Sequence, residues 1–284
     1  VMVMDSSVGA AADGDCLTVV DVAYVDPITL TLFLTLTHGL LPLLVFALGA
    51  PATAGDWDTV RVATEGAYPP FNSVDSNGEL QGFDVDITKA LCKEMGVKCE
   101  LMVQDWDGLI PGLMAKKYDA IVASMSITEE RKQKVDFTDK YYVSPARFVA
   151  RKGAGLDINK AGLKGKTVGV QRATIHENFV RDNFGDSVQI KSYATQDEAN
   201  MDLTAGRVDL VIADATVLQG GFLDTDAGSG YAFIGPSFTD AKWFGEGIGI
   251  AVRKGDDDLR KMFNDAIQAI RANGVYQKIN AKYF

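Results

Sequence analysis

The chain predicts an α/β fold built as two units, each a mostly parallel sheet flanked by helices. Two observations carry this. From Thr59 onward, short apolar runs alternate with longer stretches of helical spacing, the order of strand and crossover helix. That order breaks at a Gly- and Lys-rich stretch, 150–166, and then restarts.

In the first unit VRVAT (60–64) is a strand. GFDVDITKALCKEMG (82–96) is a helix with Val85, Ile87, Leu91 and Met95 inward. CELMVQ (99–104) is a strand, and WDGLIPGLMAKK (106–117) a helix with Pro111 in its first turns, where the missing N–H does least harm. YDAIVAS (118–124) is a strand leading into SMSITEER, where Thr128 opens another helix. Glu129 and Glu130 suit its first turn; Arg131 is opposed by the same field.

In the second unit ARKGAGLDINKAGLKGK (150–166) reads as loop and short helix, and KTVGV (166–170) as a strand. Thr174 and Glu177 are spaced as a capping box before IHENFVRDNFG. Thr195 and Glu198 repeat the spacing before EANMDLTAGR. RVDLVIAD (207–214) is a buried strand ending in an acid. GEGIGIAVRKG is a last strand, followed by two amphipathic helices.

The 284 residues carry a net charge of −10. The acidic balance argues against nucleic-acid binding. No Lys or Arg precedes Arg61, and 28–50 is almost wholly apolar. Ala52 and Ala54 then form an A-x-A pattern before Gly55, as at the end of a secretory signal. Cleavage is expected near Ala54, with 1–54 a signal region. The acids Asp5, Asp13, Asp15, Asp21 and Asp26 are atypical upstream of a signal and fit a start assigned too early. The competing reading is a membrane anchor, weakened by His38, Gly39 and Pro42. Cys92 and Cys99 suit a loop-closing disulfide in an exported protein and two free thiols in a cytosolic one. They make a poor zinc site, and no metal spacing appears.

Neither unit has a Gly-rich phosphate loop. Open α/β sheets bind ligands beyond the carboxyl ends of their strands. This directs attention to Glu65 and Tyr68, Ser124 to Thr128, Gln171 to Thr174, and Asp214. Tyr68 and Trp106 are candidate aromatic walls. Arg131 among hydroxyls suits a carboxylate. Arg131 with Asp214 suits the two charges of an amino acid. Catalysis finds little support: His176 sits in a helix first turn with no matching nucleophile motif.

Taken in order, ATEGAYPPF, GFDVDI, CKEMGVKC, WDGLIPGLMAKKYDAI, SMSITEER, DFTDKYY, LTAGRVDLVIAD, FGEGIGIAVRK and GVYQKINAKYF resemble the periplasmic solute-binding proteins of ABC importers. The resemblance spans about 59–284 and is nearest to lysine/arginine/ornithine and histidine binders and to opine binders. It implies two lobes, 55–143 plus 242–284 and 147–237, with hinges near 143–147 and 237–242 and a ligand trapped by closure. It also implies that Cys92 and Cys99 form the family's disulfide.

By the same resemblance, Arg131 grips an α-carboxylate, with backbone N–H groups at Ser126 and at Thr174 or Ile175. Ser124, Ser126 and Asp214 take the α-ammonium. Tyr68 and Trp106 sandwich the side chain, and Glu65 meets its distal cation. Ala123 stands where basic binders often have Ser, and Gln171 belongs to an altered loop. Gln171, Glu65 and Trp106 are similar to opine binders, but a charged Asp214 should repel an opine's second acid arm. The implied function is a periplasmic receptor for arginine, ornithine or lysine, a monomer without cofactor, delivering to an inner-membrane permease. The alternatives are an opine, histidine or glutamine binder, or an enzyme similar to cyclohexadienyl dehydratase with Glu65 or Glu177 as its acid.

Overall fold

The computed structural model describes residues 57–284. The expected signal region lies outside the described residues. The first part of the chain contains β1 (Thr59–Thr64), β2 (Ala67–Tyr68), β3 (Asn72–Val74), β4 (Leu80–Gln81), α1 (Phe83–Met95) and β5 (Lys98–Val103). A 3-10 turn at Trp106–Gly108 leads to α2 (Leu109–Met114), β6 (Ala120–Ile121), α3 (Glu129–Lys132) and β7 (Val135–Phe137). Then come β8 (Ala146–Arg151), β9 (Thr167–Gln171), α4 (Ile175–Phe184), β10 (Gln189–Tyr193), α5 (Gln196–Thr204), β11 (Leu210–Asp214), α6 (Ala215–Leu218) and β12 (Tyr231–Phe238). The chain closes with α7 (Ala241–Phe244), β13 (Ala251–Arg253), α8 (Asp257–Ala272) and α9 (Val275–Tyr283).

Two five-stranded sheets result, ordered β5-β1-β6-β13-β7 and β10-β9-β11-β8-β12. Three neighbours in each support a mostly parallel reading: β5, β1 and β6 in one, β10, β9 and β11 in the other. The returning strands β13 and β8 run antiparallel to their neighbours. The first sheet takes its last inner strand, β13, from beyond the whole second sheet. The chain therefore passes between the sheets twice, in 138–145 and in 239–250.

Helix α1 buries Ile87 and Leu91 against α8, whose Leu259, Phe263, Ile267 and Ile270 share that core, and Val85 is buried outside it. Met95 is only half-buried at that core's edge. The entry to α1 depends on Gly82, at φ +125°: a Cβ there would meet the Phe71 carbonyl oxygen at 2.3 Å. The close approach lets the Asp84 amide donate to that same oxygen at 2.8 Å. At the far end Cys92 and Cys99 form a disulfide between α1 and β5.

Several elements depart from the sequence reading. The expected helix at 106–117 splits into a 3-10 turn and the six-residue α2. The strand read at 118–124 pairs only at Ala120–Ile121, because β13 and β1 both leave it there. The sequence predicts loop at the start of 150–166, but Arg151 ends β8, whose apolar Phe148, Val149 and Ala150 are fully buried. Strands β10 and β12 and the small β2-β3-β4 sheet have no counterpart in the sequence reading. Thr195 and Glu198 form a full capping box. Thr174 caps α4, but Glu177 reaches back to the Ala173 amide rather than to Thr174. Trp243 and Phe244, placed with the first lobe by a boundary near 242, pack instead on Phe179 of the second core. Among the described residues no helix is long and apolar enough to cross a membrane.

Candidate ligand site between the two sheets

Four strands point their carboxyl ends at one cavity. It is lined by Glu65, Tyr68, Trp106, Ser124, Ser126 and Arg131 from the first sheet's side, and by Gln171, Thr174, Ile175, His176 and Asp214 from the second's. About 300 Å³ of space lies among these residues. Residues of both sheets' strand ends line it, so a solute seated there meets both walls.

Glu65 follows β1 and is 5% exposed. Its Oε1 accepts from Gln171 Nε2 at 2.5 Å, a bond across the cleft. Burial pushes its carboxyl up to about 7, against the Gln171 hydrogen bond and with help from Asp197, Asp105 and Asp107. Asp214 ends β11, whose five residues are all buried. Its Oδ2 accepts from the Tyr68 hydroxyl at 2.7 Å, the second bond across the cleft. Burial raises its carboxyl to about 6, against the Tyr68 bond and the field of Arg131.

Arg131 lies on α3, with its amide donating to Thr128 Oγ1 at 3.3 Å. α3 is one turn long, so little helix dipole accumulates there. The guanidinium is held by other means. Its Nη1 donates to the Ser126 carbonyl at 2.9 Å, and it lies 5.2 Å from the Trp106 ring centroid. Among the described residues it forms no ion pair; Glu130 and Asp214 act on it only through space. Burial lowers its pKa to about 10, which leaves it charged at neutral pH.

Two more contacts join the walls. Trp106 Nε1 donates to the Ala173 carbonyl at 3.0 Å, and Arg172 Nε pairs with Asp107 at 2.6 Å. The strand ends on both sides are strained alike. Ser124 (φ 52°) and Ala173 (φ 57°) are non-glycine residues in the left-handed region, beside the cavity.

Asp84 escapes the sequence reading, and His176, noted there in a helix first turn, is not placed in the site by it. Asp84, fully buried in the first turn of α1, accepts from Asn72 at 3.1 Å, Ser124 at 2.9 Å and Tyr141 at 2.7 Å. It therefore holds Ser124 in place, and burial lifts its carboxyl to about 6 despite those donors. An acid inside the apolar face of GFDVDI is the available signal. His176 lines the cavity as well. Conversely, Ala123 does not: it lies in the core with Leu109 and Tyr118, 1% exposed. Ser124 and Ser126 line the cavity, while Ala123 and Met125 pack into the core beneath it.

One cation and two acids lining this cavity can hold a small zwitterion with an additional positive charge. Comparison with known proteins agrees with a solute site. Residues 60–284 match the bacterial extracellular solute-binding proteins, family 3. The L-arginine-binding protein of Pseudomonas aeruginosa is 55% identical over 238 residues, covering 84% of this chain and 92% of that one. The histidine-binding periplasmic protein of Escherichia coli is 42% identical over 242 residues, covering 85% and 93%. The structure of an ancestral arginine-binding protein bound to arginine superposes with a TM-score of 0.74 at 40% identity, covering 80% of this chain and 98% of that one. The chain belongs to the bacterial extracellular solute-binding proteins, family 3.

Proposed function

We propose that this protein is an exported receptor that closes on a cationic L-amino acid, arginine, ornithine or lysine, and passes it to an ABC permease. The observation that carries this is the charge set of the cavity: among the described residues, Arg131 has no acid of its own, and it shares the cavity with Asp214 and Glu65, which have no cations of their own. A ligand carboxylate on Arg131, an α-ammonium on Asp214 and a distal cation on Glu65 satisfy all three. Ser126 and Ser124 frame the ammonium, Tyr68 and Trp106 the aliphatic stem. The Thr174–Ile175 backbone stands at the start of α4, where free N–H groups favour an anion. The names of the relatives support the same ligand class.

The two passages between sheets act as hinges, and the four contacts across the cleft are made on closure. Nothing in this role turns over substrate, which matches a solute-binding family. Calorimetry with arginine, lysine, ornithine, histidine, glutamine and octopine tests the reading. Arginine, ornithine or lysine is expected to bind most tightly. Preference for glutamine or octopine would overturn the cationic assignment.

A further inference from the structure

Among the described residues, one buried side-chain atom without a hydrogen-bond partner belongs to a residue that lines the cavity: His176 Nε2. His176 is 4% exposed, in the first turn of α4. A buried ring nitrogen without a partner is costly, so the usual explanation of a buried histidine, a satisfied core residue, fails here. The ring is not loose. It packs against Phe244, centroids 6.0 Å apart, and Phe244 is itself wedged against Phe179 and Phe238. The imidazole therefore stands in the cavity wall with its back to an aromatic cluster.

We infer that His176 is a further ligand-positioning residue, its Nε2–H donating to the ligand carboxylate beside Arg131. This rests on the reading of Arg131 as the carboxylate anchor. The sign of the nearby field chooses the role. Burial, then the charge of Arg131, pull the imidazole down to about 3, so it is neutral at working pH. A neutral imidazole carries one ring proton and can place it on either nitrogen. The part of a solute that lies beside Arg131 is its anion, and an anion selects the tautomer with hydrogen on Nε2. His176 thus adds a donor without adding charge. The cavity keeps its balance of one cation and two acids, which a second arginine or lysine would upset.

The test uses His176→Phe and His176→Gln in the full chain, titrated by calorimetry with arginine and with arginine methyl ester. Ligand-free unfolding curves confirm that both variants fold. His176→Phe is expected to weaken arginine about 10- to 100-fold, the worth of a hydrogen bond to a charged group. The ester should lose much less, because its neutral carbonyl accepts more weakly. His176→Gln, which keeps a side-chain N–H, should recover most of the arginine affinity. A second readout is spectroscopic. The only other histidine of the chain is His38, so His38→Asn leaves a single imidazole. Its Nε2 ¹⁵N signal should move into the protonated range when arginine is added. Unchanged arginine affinity in His176→Phe, equal losses for both ligands, or an unprotonated Nε2 in the complex overturns the inference while wild-type binding stands. Failure of the wild-type protein to bind arginine overturns the proposed function with it.

Discussion

Asp119 and Asp214 lie at opposite ends of the strands, and the fold treats them in opposite ways. Both are nearly buried, 5% and 6% exposed. Asp119 stands before β6, away from the cleft. Arg61 gives it two side-chain bonds at 2.9 and 2.8 Å, and Arg253 another at 3.1 Å. Burial alone raises its carboxyl, but the Arg61 and Arg253 contacts outweigh it and hold the group below the usual range. Asp214, at the cleft end of β11, receives a tyrosine hydroxyl and, among the described residues, no cation within ion-pair distance, and burial wins. Glu65, bonded to an amide, follows Asp214. An acid with cations from its own chain supports the fold. An acid buried among neutral donors costs the fold and is suited to a cation that arrives from outside.

The strongest way to break this contrast is through the cation on the other side of the balance. Arg131→Ala removes the one Lys or Arg side chain that lines the cavity among the described residues and is expected to lower arginine affinity more than ~100-fold, the scale of truncating a buried charged partner. Arg131→Lys should keep little, because the planar fork is lost. Near-normal binding by the lysine variant in calorimetry would show that no fork is used.

The contrast itself predicts stabilities of opposite sign. Asp119→Asn should destabilise by about 1.5–3 kcal/mol, the range for hydrogen bonds to charged groups. The lower end applies, since the Arg61 side chain is 38% exposed and partly screened. Asp214→Asn should leave ligand-free stability unchanged or raised by up to ~1 kcal/mol, since it removes a buried charge that lacks a cation, while arginine binding weakens. Urea unfolding of both variants decides it, and equal losses would erase the distinction. A smaller effect separates the two cleft acids. Glu65→Gln should weaken arginine about tenfold more than it weakens glutamine, one charged hydrogen bond's worth. Equal loss for both ligands would show that Glu65 does not select charge.

The mildest expected effect is on pH. Glu65 and Asp214 are raised above ordinary carboxylates, to about 7 and about 6. A raised acid holds its proton more tightly folded than unfolded. The ligand-free protein should therefore have this contribution in full below about pH 4 and lose it as pH rises through 6 to 7. Ligand cations favour the ionised acids, so arginine should bind more tightly over the same interval and release protons. Calorimetry in buffers of different ionisation enthalpy measures that release; proton uptake would reverse the assignment.

Elements with strong local signals are legible in the amino-acid order alone. Helix α8 carries its apolar face in a regular helical spacing, and the Thr195–Glu198 box is complete within four residues. β8 and β12 escape such a reading because their apolar runs are short and interrupted, at Arg147 and at Gly235–Pro236, and only pairing in the sheet, of β8 with β11 and β12, reveals them. The helix expected at Thr128 forms, but as a single turn. A helix field is therefore a weaker reason for Arg131 than the carbonyl and ring that hold it. Ala123 enters the site by resemblance and by its hydroxyl neighbours, but its side chain packs in the core with Leu109 and Tyr118.

Residue chemistry along the chain is enough to establish strand ends, their acids, hydroxyls and arginine, and the repeated α/β order, because periodicity and capping act over a few residues. Which of those groups have partners is decided only in three dimensions. Asp84 takes the hydroxyl of Ser124 across 40 positions, Tyr68 reaches Asp214 across 146, and His176 is left with an unpartnered nitrogen in the wall. Burial and hydrogen-bond satisfaction depend on contacts between distant segments, and those contacts set which charges the protein neutralises itself and which it leaves for a solute.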